Sequence, residues 1–167
     1  GTDDLSRALR DLPASARETL NRLQGTFVTL KRTDPREIAR FGRLRGCIGQ
    51  VSPVYTLAEA VVVAATNAAL ADPRFEPVRA EELPGLRVEL TVLSPMRPIG
   101  SWKEIRLGRH GILLAKGGHR AVFLPEVPVE EGWTLEETLS QLSRKAGLPE
   151  DAWREGAAFE VFEGQVF

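Results

Sequence analysis

The chain has 167 residues, 43% of them hydrophobic, which suffices to bury one sizeable core, so one domain is expected. Its 22 lysines and arginines nearly cancel its 23 acidic residues, so no overall field draws it to nucleic acid or an anionic membrane. The longest apolar run, Ala60 to Ala65, is far short of the roughly 20 residues a membrane span needs, no charged-then-apolar leader opens the chain, and a single cysteine, Cys47, excludes an internal disulfide; together these predict a soluble, cytoplasmic protein.

In chain order, Asp4 to Leu23 reads as helical with an interruption at Pro13. Gly25 then opens a β-rich run, Thr26 to Leu30, and a second strand, Arg43 to Ile48, follows a charged connection. In that connection Asp34 can cap, Pro35 suits the first helical position and Glu37 stands three after the cap, which predicts a short helix over Asp34 to Phe41. Thr56-Leu57-Ala58-Glu59 is a capping box, and Leu57, Ala60, Val61, Ala64, Ala68 and Ala71 keep helical spacing up to Asp72-Pro73. The small alanines predict close packing of this helix on a sheet. Leu86, Val88, Leu90 and Val92 alternate with polar residues as a half-buried strand that Ser94-Pro95 ends.

The second half repeats the plan. Gly111 to Lys116 and His119 to Leu124 are strands joined by Gly117-Gly118, a pair suited to a tight hairpin. Thr134-Leu135-Glu136-Glu137 opens a helix that Gly147 stops, and a β-rich run from Ala158 to Phe167 closes the chain. Two strand–strand–helix–strand repeats predict an α+β fold, a largely antiparallel sheet with helices outside, and not a doubly wound parallel one. The expected organisation is a helical N-terminal segment, 1–24, and a domain over 25–167, divisible into subdomains of about 25–100 and 101–167.

The residues that carry chemistry concentrate in Leu44-Arg45-Gly46-Cys47-Ile48-Gly49. In an extended strand, alternation puts Arg45 and Cys47 on one face, where a guanidinium would favour the thiolate. Gly46 and Gly49 would let a ligand, or another backbone, come close. The competing reading makes Cys47 a small buried hydrophobe and the glycines a packing device. A nucleophile needs a base, and of the two histidines His110, between Arg109 and Gly111 at the mouth of a strand, is the better candidate; His119 adjoins the Gly-Gly turn and reads as solvated. Glu104 could assist, and Trp102 is the one tryptophan placed near a pocket. No close-spaced ligand pair such as His-x-x-x-His supports a metal site, and no cofactor is expected. Lys31, Arg32, Arg36, Arg40, Arg43 and Arg45 form a basic stretch, read as a solvated loop more readily than as a phosphate-binding patch, so nucleic-acid binding is a distant alternative.

Seven ordered segments carry a family resemblance: Phe27-Val28-Thr29-Leu30, Leu44 to Gly49, Asp72-Pro73-Arg74-Phe75, Glu81-Glu82-Leu83, Val92-Leu93-Ser94, Gly108-Arg109-His110-Gly111 and Lys145-Ala146-Gly147-Leu148. The chain resembles the AMMECR-one domain family from about Gly25 to Phe167, and Leu44 to Gly49 is that family's hallmark. The resemblance implies an α+β fold with a duplicated strand–helix plan. It also implies a prokaryotic protein that is one component of a system with a MEMO-type protein and a radical SAM protein. Two features depart from the family pattern: the connection Arg32 to Arg43 is longer, and Ser143 stands where many relatives have a second cysteine, which argues against a two-cysteine redox mechanism.

Two functions follow as expectations. One is a binding or regulatory module that presents a cleft around Leu44 to Gly49, with Arg45, Gly46, Gly49, Trp102 and Arg109, to a small ligand or partner protein. The other is an enzyme or covalent carrier with Cys47 as nucleophile, His110 as base and Glu104 beside them.

Overall fold

The computed structural model describes the backbone of residues 2–167 and side chains from residue 5 onward; Gly1, the first residue of the expected helical segment, lies outside the described residues. The strands are β1 (Thr26–Arg32), β2 (Leu44–Gln50), β3 (Leu86–Leu93), β4 (Arg97–Ile99), β5 (Gly111–Lys116), β6 (His119–Phe123), β7 (Ala158–Phe162) and β8 (Gly164–Val166). The α-helices are α1 (Thr2–Arg10), α2 (Ala14–Leu20), α3 (Pro35–Phe41), α4 (Leu57–Leu70), α5 (Val127–Glu130) and α6 (Leu135–Lys145). The chain divides into two units, one running up to Leu93 and taking in Gln165–Phe167, the other Ser94–Gly164.

In the first unit Pro13, which has no N–H to donate, stands at the start of α2 and separates it from α1. The charged connection folds as α3: Asp34 accepts the Arg36 N–H at 2.7 Å, and Pro35 takes the first helical position. Helix α4 starts at the expected capping box, with Glu59 accepting from the Thr56 N–H and hydroxyl. Its Ala60, Ala64 and Ala68 are buried, and Ala64 and Ala68 meet Val28 and Leu30 of β1 with Ile48 of β2 at the margin. So thin a helix face lets the backbones approach, and Gly46 completes the fit: a Cβ there would overlap the Ala68 carbonyl.

In the second unit Gly117 (φ 56°) and Gly118 (φ 83°) both take the left-handed conformation of a two-residue hairpin turn between β5 and β6. Helix α6, capped by Thr134 and Glu137, buries Leu139 and Leu142 against Ile112, Leu114, Phe123, Phe159 and Trp153. Trp153 is 1% exposed, meets Trp102 edge-on at 5.0 Å and donates its indole N–H to the Ser140 hydroxyl. Burial of each large side chain in this cluster stabilises the unit by roughly 1.5–3 kcal/mol.

The α+β class and the largely antiparallel strands hold, and the strands form two four-stranded sheets, ordered β2-β1-β3-β8 and β4-β7-β5-β6. In each, the first strand of a repeat lies between the second and the third. Two elements differ from the expected plan. Ser94-Pro95 does end β3, yet the chain resumes as β4, and the closing run is interrupted at Glu163 into β7 and β8. These extra strands are exchanged. Strand β4, which follows the first repeat, pairs with β7 of the second, and β8, which follows the second, lies beside β3 of the first, with Leu90 and Phe167 trading backbone hydrogen bonds at 3.2 and 2.8 Å. No helix among the described residues is long and apolar enough to cross a membrane.

Candidate functional site

Strand β2 is an edge strand, so one side of its backbone needs partners other than a sheet neighbour. Cys47 lies opposite Thr29 of β1 but turns its own N–H and C=O outward. The N–H donates to Asp72 Oδ2 at 2.9 Å, and the C=O accepts from Arg74 Nη2 at 3.1 Å. A pair without mutual backbone bonds brings its side chains closest, and the Cys47 thiol sits 3.2 Å from the Thr29 hydroxyl. Asp72, 4% exposed, also takes the Arg74 backbone N–H and two bonds from its guanidinium. The Arg74 guanidinium, helped by the Cys47 and Arg74 N–H groups, outweighs burial and holds the Asp72 carboxyl well below the usual carboxylate range.

Arg45 is buried, and its guanidinium is spoken for. Nε and Nη2 clasp Glu82 at 2.7 and 3.0 Å, and Nη1 donates to the Glu76 carbonyl at 2.9 Å. This pairing raises Arg45 and lowers Glu82 to about 2, with the Arg79 N–H assisting. The expected same-face partnership of Arg45 with the thiol is therefore replaced by an ion pair across the 3₁₀ turn Ala80–Gly85. The cation beside Cys47 is Arg74, from a motif that sequence reasoning used only for the resemblance. Gly46 and Gly49 admit backbone: Gly46 the Ala68 carbonyl, Gly49 the Thr26 carbonyl and Phe27. Of the basic stretch, Arg32 donates to the Gly42 and Leu44 carbonyls, Lys31 pairs with Glu89 and Arg45 with Glu82, so half of its cations are internal ties.

His110, Arg109 and Glu104 belong to the second unit and line a cleft there of ≈ 380 Å³, together with Arg97, Lys103, Arg106 and Glu163. His110 is 6% exposed. Its Nδ1 accepts the Arg106 N–H at 3.2 Å, which places the proton of the neutral ring on Nε2, 3.9 Å from Glu163 Oε1. Burial, with the nearby Arg109, Arg97 and Arg106, pushes the imidazole below its ordinary value against the opposing pull of Glu163. In this state His110 offers the cleft a donor. Service as a base there requires the other tautomer and loss of the Arg106 bond.

Glu104 is turned away from proton transfer, since its Oε1 accepts the Gly100 and Ser101 N–H groups at 3.0 and 2.9 Å. Trp102 packs against the core and only anchors the 3₁₀ turn Trp102–Glu104 from which Lys103 and Glu104 reach the cleft. His119 is exposed, with Nδ1 3.0 Å from the Ala146 carbonyl. Ser143 is fully buried in α6 and its hydroxyl has no partner among the described residues. No three of His, Cys, Asp and Glu converge among the described residues to hold a metal ion. Sequence reasoning missed Arg97, Lys103, Arg106 and Glu163. Their one signal was charge density around Gly108 to Gly111, and Glu163 and Arg97 join only through the β4–β7 pairing.

Paired four-stranded antiparallel sheets, each with a capped helix, and a cysteine segment braced by two downstream motifs define a class of protein. The chain belongs to the AMMECR1 family, whose model matches residues 4–167. It is 40% identical over 164 residues to Protein NEQ441 of Nanoarchaeum equitans, covering 94% of this chain and 87% of that protein. It is 50% identical over 135 residues to Protein TK0174 of Thermococcus kodakarensis, covering 77% of this chain and 64% of that protein, under two thirds of its length. A crystal structure of uncharacterized protein PH0010 from Pyrococcus horikoshii is similar at a TM-score of 0.71 and 37% identity, over 97% of this chain and 84% of that one.

Proposed function

We propose that this chain is a binding or regulatory module that acts by associating with partners, of which the family resemblance points to a MEMO-type and a radical SAM protein. One observation carries this reading: the polar groups around Cys47 are engaged within their own unit. Arg45 is clasped by Glu82, the Cys47 backbone by Asp72 and Arg74, and the thiol lies against a threonine hydroxyl. The hallmark segment thus braces a sheet edge. Titrating the purified chain with the MEMO-type and radical SAM proteins of the same genome tests it. Cys47→Ser is expected to leave association unchanged, and Arg109→Ala, at a 59% exposed side chain, to weaken it several-fold. Abolition of binding by Cys47→Ser, or no association with either protein, overturns the reading.

A covalent carrier at Cys47 is the second reading, favoured by a thiol that is only half-buried and by the Arg74 guanidinium bound to its carbonyl. The rate of alkylation against pH decides it. A thiol that titrates near the ordinary value of about 8.5 sinks the carrier.

A further inference from the structure

We propose that the cleft of the second unit binds the phosphate group of a small phosphate monoester, and that Glu163 occupies the site of that phosphate at rest. The inference rests on the reading of the chain as a binding module and names the chemistry of its ligand. At ≈ 380 Å³ the cleft falls within the roughly 300–1,000 Å³ of small-molecule sites.

Its walls carry Arg97, Lys103, Arg106 and Arg109 against Glu104 and Glu163, an excess of two positive charges with His110 neutral. With Glu163 displaced the excess is three, of which a phosphate monoester at about −1.5 to −2 near pH 7 offsets the larger part, whereas one carboxylate only replaces the charge of Glu163. Arg97, Lys103 and Arg106 line the cleft and make no ion pair among the described residues, so their charges are available to an incoming anion. Glu104 does not compete, because the Gly100 and Ser101 N–H groups hold its Oε1.

Glu163 does compete. Its Oε1 takes the Arg109 Nε–H at 3.0 Å and stands 3.9 Å from His110 Nε2, so one carboxylate oxygen rests between a guanidinium and an imidazole donor, as an oxygen of the ligand would. The side chain is 49% exposed and free to leave, while the Glu163 backbone stays tied to Ser94 by bonds of 2.8 and 2.9 Å. A second cleft of ≈ 160 Å³ shares Arg97, His110 and Glu163 and adds Pro95, Val161 and Phe162. That apolar side suits the organic part of the ester.

The test is calorimetric titration of the isolated chain, at low ionic strength and neutral pH, with phenyl phosphate, inorganic phosphate and benzoate, with the His110 ring signals followed by NMR. Phenyl phosphate is expected to saturate with a Kd at or below about 1 mM, and benzoate to bind about tenfold more weakly. Inorganic phosphate separates the two sources of the group: binding weaker than phenyl phosphate supports an ester, and equal or tighter binding overturns the ester in favour of free phosphate. Glu163→Gln is expected to tighten phenyl phosphate about three- to tenfold, and Arg97→Ala with Arg106→Ala, in a protein of unchanged melting profile, to weaken it at least about tenfold. No saturation up to about 10 mM, equal binding of benzoate, or unchanged or weaker binding by Glu163→Gln overturns the site. No partner protein enters the titration, so failure here is distinguishable from failure of the association tested above.

Discussion

Gly46 bears no side chain because the Ala68 carbonyl stands where one would be. The obstacle is helix backbone, which cannot swing aside as a rotamer can, so Gly46→Ala must push α4 off the sheet. Overpacking of this kind costs about 1–3 kcal/mol, and chemical denaturation is expected to show a loss of that size with an unchanged slope. The register of β2 against β1 skips Arg45, so the simple alternation expected of Arg45 and Cys47 is interrupted there, whereas the glycines were correctly read as sites of close approach. That the approach is made by backbone, and that Arg45 would meet Glu82 at a sequence distance of 37 residues, was not legible, because nothing local to Leu44–Gly49 records where the chain returns. Asp72-Pro73-Arg74 and Glu81-Glu82 did stand out as motifs, and the structure shows them to be the other half of the cysteine segment.

At the scale of the element, β2 is an edge strand closed by ion pairs in place of a neighbour. That construction ties its stability to pH. Glu82 is held at about 2 against an ordinary 4.5, so its contribution is complete above about pH 4.5 and is lost as pH falls from 4.5 toward 2. Asp72, also lowered, gives way further into acid. Urea unfolding at pH 7, 4.5, 3 and 2 is expected to show stability falling through that window. Arg45→Met is expected to flatten the Glu82 part of the fall and to cost on the order of 2 kcal/mol at pH 7. That is less than the ~3–5 kcal/mol of a fully buried pair, because Glu82 keeps about a third of its surface in water. A pH profile in Arg45→Met identical to that of the wild type would contradict the assignment. The strands and capped helices were legible at this scale because their signals are local: a β-rich run in β1, alternation in β3, the boxes at Thr56 and Thr134, and the Gly117-Gly118 turn that joins β5 and β6. Strand β4 was not, since three residues containing Pro98 carry no periodic signal and become a strand only through pairing with β7.

For the whole molecule, the repeat was legible as an order of elements, and the division into two sheets was not. Two sheets exist because each repeat centres its own first strand and receives its fourth from the other repeat. Removal of residues 165–167 therefore addresses the first unit alone: the Leu90 amide, which donates to the Phe167 carbonyl, is expected to lose hydrogen-exchange protection, while Leu113 and Leu114 in β5 keep theirs. Equal loss in both units would contradict the exchange. The cationic cleft is likewise a product of topology, because Arg97 on β4 and Glu163 after β7 meet only where those strands pair.

The exchanged strands have a historical reading. If one ancestral repeat associated with a second copy of itself and each lent its final strand to the other, the result would be a domain-swapped homodimer, and joining the two chains end to end would leave the strand order seen here. On that reading the Ser94 and Glu163 junctions, hydrogen-bonded to one another, are equivalent hinge points of the two former protomers. Divergence after fusion would then have freed one copy to keep the braced cysteine strand and the other to gather arginines.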